Sequence, residues 1–180
     1  MTASESDTIL AFSYGSNMLT SWIRQKDRCP SAHPLGRAEL PGYELNWQKR
    51  SQDKSGKCDV KKTADGSGVV HGVLYEIPLG EESKLDKAEG FRKGYDKKKV
   101  EVKFDGERRA ASLYYATDSK ASLRPYTWYK WLVLAGADEH GLPPDYIARL
   151  KHVEADQDPD TERHDRNAKF SERHRGKAQP

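Results

Sequence analysis

Ile9-Leu10-Ala11-Phe12-Ser13-Tyr14-Gly15-Ser16-Asn17-Met18-Leu19 is an apolar run that breaks into small polar residues and resumes at helical spacing through Trp22 and Ile23. Ile9 to Phe12 predicts a buried strand, Gly15 to Asn17 a tight turn, and Met18 onward a helix. At such a corner Gly15 permits a backbone angle closed to other residues and Ser16 or Asn17 can cap the helix. The N–H groups of its first turn then point outward. That geometry suits an anion or a developing oxyanion. A Gly-Ser-Asn tripeptide also fits a capped strand-to-helix junction with no ligand, so the turn alone does not decide.

Outward from that corner, the 180 residues suffice for one domain with a real core plus a tail. Residues 8–154 read as the domain and 155–180 as a charged, unstructured tail, because beyond Ala155 the chain carries only Phe170 as a large apolar residue and has no periodicity. No apolar run approaches membrane-spanning length, and Met1 to Thr8 carries Glu5 and Asp7 where a signal peptide would be basic. The expected compartment is the cytoplasm. Cys29 and Cys58 lack zinc-ligand spacing and read as free thiols. A net charge of +3 with no dominant basic block argues against nucleic acid as a partner.

Pro41-Gly42 signals a turn, and Tyr43, Leu45 and Trp47 alternate with polar residues as in a half-buried strand. Arg50 to Ser67 has little apolar content and predicts an exposed, mobile loop. Val69 to Ile77 is nearly continuous apolar sequence and predicts a strand at the centre of a sheet, with His71 its one exception. Glu81 to Glu89 predicts a short helix stopped by Gly90. On it Leu85, Ala88 and Glu89 share a side while Asp86 faces outward. A carboxylate on an inward stripe must be paired, hydrogen-bonded or desolvated, unless it bends back to solvent. Val100 to Phe104, Asp105-Gly106 and Arg108 to Ala116 predict a hairpin, flanked by Lys97 to Lys99 and Arg108-Arg109 as a solvated face. Trp128, Trp131, Leu132 and Ala135 recur at helical spacing, and Pro143-Pro144 opens a second helix.

Three motifs now stand in order: Tyr14-Gly15-Ser16-Asn17-Met18, Leu85-Asp86-Lys87-Ala88-Glu89-Gly90, and Trp128-Tyr129-Lys130 running to Gly141-Leu142-Pro143. In this order they resemble the gamma-glutamylcyclotransferases, over about Leu10 to Leu150. The resemblance implies an α+β fold, a small mixed β-barrel with surrounding helices. It implies cofactor-free release of 5-oxoproline from a small-molecule gamma-glutamyl substrate. The family's substrate loop falls on Tyr14, Gly15, Ser16, Asn17, Met18 and Leu19, its general acid/base on Glu89, and its closing tyrosine on Tyr129; no metal is implied.

The chemistry agrees with the residues. The substrate's own α-amine attacks its gamma-carbonyl, so proximity is built in and the protein need supply no nucleophile. It must supply a base that takes one proton and returns one, and an apolar-stripe carboxyl suits that task. Two other classes compete: a binding module that keeps the cavity without turnover, and a nucleic-acid-binding sheet using Lys97 to Lys99, Arg108, Arg109, Tyr114 and Tyr115.

Overall fold

Val69 to Ile77 lies where its apolar run predicts, with a neighbouring strand on each side. The computed structural model describes residues 7–175. Its strands are β1 (Thr8–Ser13), β2 (His33–Pro41), β3 (Tyr43–Arg50), β4 (Gly56–Lys62), β5 (Val69–Pro78), β6 (Tyr95–Phe104) and β7 (Glu107–Ala116). In the order β1-β5-β2-β6-β7 five of them close into a barrel, and β3 with β4 forms a separate two-stranded sheet. The barrel pairs are antiparallel except the seam between β1 and β7, which is parallel at Ala11 opposite Ser112. This is the small mixed barrel that the resemblance implies. Val70, Val73, Leu74, Tyr75 and Ile77 of β5 are fully buried at its heart.

The β6–β7 hairpin forms as read. Asp105 and Gly106 both have positive φ, 51° and 77°, the primed turn that matches the twist of paired strands. Around the barrel lie α1 (Thr20–Ile23), α2 (Glu82–Glu89), α3 (Thr127–Glu139), α4 (Pro144–His152), α5 (Thr161–Ala168) and α6 (Glu172–Arg175). Gly90 ends α2 in the left-handed conformation (φ 66°), and Phe91 N–H donates to the Asp86 carbonyl at 2.8 Å. Helix α3 presents a small-residue face to the turn after β1. A Cβ at Gly136 would stand 2.6 Å from the Leu19 nitrogen, so only glycine lets the two backbones meet. None of the helices among the described residues is long and apolar enough to cross a membrane.

Four expectations are corrected. Residues 50–67 are not simply a mobile loop: β4 occupies Gly56–Lys62 and pairs with β3. Its buried positions include Asp59, whose carboxylate accepts from the Ala116 N–H at 2.8 Å, so a polar side chain fills a place where an apolar pattern would have been visible. The helix predicted from Met18 is a one-turn 3-10 helix, Ser16–Met18, followed by the single turn of α1. No side chain of Ser16 or Asn17 caps it; the Thr20 N–H instead donates to Glu139 Oε2 at 2.9 Å, from the far end of α3. The tail is structured up to residue 175, with residues 1–6 and 176–180 outside the described segment. It docks through a few specific contacts: Asp158, 0% exposed at its side chain, accepts from Trp128 Nε1 (2.8 Å) and from Arg163, and Phe170 meets Trp22 edge-on at 5.1 Å. Lastly, Lys97 is no solvated face. It bridges Glu82 (2.7 Å) and Asp86 (2.9 Å), while Tyr114 donates to Asp86, and together they clamp α2 onto β6 and β7.

Candidate functional site

The site forms where the turn after β1, the end of α2, the start of α3 and the β3–β4 hairpin converge. Its inner pocket, about 40 Å³, is lined by residues of the Tyr14–Asn17 turn with Cys58, Glu89, Tyr95, Tyr114 and Tyr129. An outer basin of about 310 Å³ shares Ser16, Glu89, Tyr95 and Tyr129 with it. Glu89 therefore borders both spaces. Its side chain is 17% exposed and accepts from Asn17 Nδ2. The Asn17 Oδ1 accepts in turn from Arg28 Nη1 at 3.2 Å, and the same Nη1 lies 3.8 Å from Glu89 Oε1. An amide with donor side to Glu89 and acceptor side to Arg28 fixes the carboxylate's orientation.

The turn is held from beneath. Met18 and Leu19 are buried in the core, and Tyr75 donates to the Met18 carbonyl at 2.9 Å. Ser16 and Asn17 begin a one-turn helix, so their N–H groups have no acceptor within it. Gly15 has φ −116°, which leaves its need for glycine to sterics rather than handedness. A Cβ there would stand 3.0 Å from the Tyr129 hydroxyl and 3.1 Å from Cys58 Cβ.

Three tyrosines close the pocket as neutral hydrogen-bonding walls. Tyr129 OH accepts from the Cys58 N–H (3.1 Å), Tyr95 OH donates to the Cys58 carbonyl (2.8 Å), and Tyr14 OH donates to the Tyr114 carbonyl. Burial, reinforced by neighbouring acidic groups including Glu89, raises all three well above the ordinary tyrosine value. Burial likewise pushes the Cys58 and Cys29 thiols up to about 12, so neither is a thiolate nucleophile at neutral pH. Among the described residues no group of three or more His, Cys, Asp and Glu side chains is arranged to hold a metal ion.

Two carboxylates near the site carry acid-sensitive stability. Against its burial, Lys57 and Ser55 hold Asp53 down to about 2; against burial too, His140 and the Thr20 N–H hold Glu139 down to about 2. A carboxyl group depressed in the folded state contributes fully above its unfolded pKa and loses that contribution as pH falls through the folded one. Stability is thus expected to decline from about pH 5 towards pH 2. Urea midpoints measured across that range should fall less steeply for Asp53→Asn, and an unchanged slope would count against the pairing.

Of the residues singled out in the sequence, Tyr14, Gly15, Ser16, Asn17, Glu89 and Tyr129 come together around the pocket. Met18 and Leu19 do not: they anchor the turn in the core, because a one-turn helix points its second half inward. His71 lies elsewhere, its ring 4.8 Å from Tyr146 and 3.9 Å from Glu39. Asp86, placed outward by helical spacing, is engaged by Tyr114 and Lys97. Cys58, Tyr95, Tyr114 and Arg28 were missed. Cys58 and Tyr95 join the site through β4 and the first residue of β6, neither of which carries a local signal for a pocket.

Residues 69–150 match the AIG2-like family. The chain is 30% identical to human gamma-glutamylcyclotransferase over 159 residues, covering 86% of this chain and 83% of the relative, and 32% identical to the mouse protein of that name, with coverages of 83% and 81%. A solved gamma-glutamyl cyclotransferase structure superposes with a TM-score of 0.81 at 28% identity, over 91% of this chain and 99% of the other. The closed mixed barrel thus puts the molecule in the class of small barrel proteins to which that solved cyclotransferase belongs. Within that class, the chain belongs to the gamma-glutamylcyclotransferase family.

Proposed function

We propose that this protein is an active, cofactor-independent gamma-glutamylcyclotransferase of the cytoplasm. The observation that carries the reading is Glu89, oriented by Asn17 and bordering both the inner pocket and the outer basin. The gamma-glutamyl half sits in the inner pocket. Its α-amine attacks the gamma-carbonyl carbon and closes a five-membered ring, and the amide C–N bond then breaks. Glu89 takes the proton shed by the attacking nitrogen and delivers it to the departing one, so no proton is gained or lost overall. The N–H groups of Ser16 and Asn17 meet an anion of the substrate, either its α-carboxylate or the oxyanion. Neutral tyrosines on the other walls exclude water without adding charge.

The experiment is an assay of 5-oxoproline release across gamma-glutamyl amino acids, peptides and amines. Turnover on any supports the reading, and none across the panel favours a binding module on the same fold. Gly15→Val gives a second check. Its Cβ would press on the Tyr129 hydroxyl and Cys58, so 5-oxoproline release should fall by about 100-fold or more while cooperative unfolding persists. Wild-type turnover in that variant would show that the turn does not meet substrate.

A further inference from the structure

The outer basin holds a cation that makes no direct ion pair among the described residues. Three basic side chains reach it, Arg28, Lys49 and Lys57. Lys57 is fully engaged by Asp53 (2.8 Å) and Ser55 Oγ (2.9 Å) beneath the Trp128 and Tyr129 rings. Arg28 lies over Trp22 at 4.9 Å and uses Nη1 on Asn17, leaving the rest of its guanidinium without an acceptor among the described residues. Lys49 differs from both. Its Nζ lies 4.6 Å from the centre of the Tyr95 ring and packs against bare Gly94, where a Cβ would come within 3.1 Å of it. Among the described residues Lys49 makes no salt bridge or hydrogen bond through that nitrogen. Burial lowers its pKa, although Glu89, Asp53 and Asp118 oppose the shift. A half-buried ammonium with no direct counter-ion is costly, and an incoming anion relieves that cost.

With the glutamyl half in the inner pocket, an anion that meets Lys49 from the basin side belongs to the other half of the substrate. Glu89 borders both spaces, so the departing nitrogen lies beside it and the rest of the leaving group extends into the basin. We propose that Lys49, assisted by the remaining N–H groups of Arg28, determines specificity on the leaving-group side by pairing with a carboxylate on the carbon next to the departing nitrogen. The inference rests on the cyclotransferase reading above. Conjugates of α-amino acids are then preferred to conjugates of simple amines, and the preference resides in Lys49.

The test pairs two substrates that differ only by that carboxylate, gamma-glutamyl-alanine and gamma-glutamyl-ethylamide, with the full-length wild type, Lys49→Gln and Lys49→Arg. Wild-type kcat/KM should favour the alanine conjugate. Lys49→Gln should lower that preference by about 10- to 100-fold, mostly through KM, and Lys49→Arg should restore most of it. Thermal unfolding of each variant separates loss of fold from loss of recognition. An unchanged ratio in Lys49→Gln, with both conjugates still turned over, removes this inference and leaves the cyclotransferase reading standing. Release of no 5-oxoproline from either conjugate by the wild type, or from the wider panel, removes both.

Discussion

Glu89→Gln is expected to lower turnover by about two to four orders of magnitude while leaving affinity for 5-oxoproline near that of the wild type. The amide oxygen can still accept from Asn17 Nδ2, so the side chain keeps its place at the junction of pocket and basin. What it loses is the ability to take a proton. Among the described residues no other carboxylate lines the inner pocket, and Asp53, the other acid there that borders the basin, is committed to Lys57. Stability should change little. The substitution removes a partly desolvated charge, but it also deprives Arg28 of a carboxylate 3.8 Å away, and these effects oppose each other. The check is paired: initial rates of 5-oxoproline release and calorimetric product binding on the same preparations. Turnover surviving within a few-fold would move the proton shuttle elsewhere.

The second large effect is expected from deleting everything after Ala155. Composition alone predicts little change, since the segment reads as a solvated tail. The structure predicts a substantial loss. Deletion removes the buried Asp158 carboxylate from Trp128 Nε1, the two backbone bonds by which Asp156 ties to Pro125 and Thr127, and the Phe170 ring from Trp22. A fully buried Phe is worth about 3 to 5 kcal/mol, half-buried Phe170 less, and a hydrogen bond to a charged group about 1.5 to 3 kcal/mol. At this chain length that corresponds to a Tm lower by about 10 °C or more. Asn167 also lines the outer basin, so the truncated protein should lose activity on large leaving groups before it loses its fold. Calorimetric scans of the two lengths settle the point, and a shift of only a degree or two would mean that the docked segment contributes little.

What the sequence made legible followed from local physics. Val69 to Ile77 could only be a central strand, Asp105-Gly106 could only turn a hairpin, and Gly90 could only end its helix, because each depends on neighbours within a few residues. Glu89 was legible for the same reason: it shares a helical side with Leu85, which is buried. The losses fall where partners are remote. Asp86 reads as outward until Tyr114 and Lys97 reach it from strands β6 and β7. Strand β4 was hidden because Asp59 within it and Ser55 just before it are buried polar residues, satisfied by the Ala116 N–H and by Asp53. The tail was misread because a single aromatic and a single buried carboxylate leave no periodic trace. Met18 and Leu19 were assigned to the ligand by resemblance, whereas their burial places them under the turn.

The parallel seam of the barrel carries a consequence for how the chain is made. Strand β1 leaves the ribosome before the other barrel strands, yet its partners are β5, where Phe12 waits for Leu74, and β7, where Ala11 waits for Ser112. Ile9 to Phe12 is therefore an unpaired apolar edge throughout most of translation, and non-local closure of this kind is slow. The turn after β1, anchored by Met18 on α3, cannot take shape until Gly136 has emerged, and the outer basin is not walled until Asn167 follows. A nascent chain stalled short of α5 would carry Glu89 but not the finished basin around it, so complete synthesis acts as the gate to a complete site.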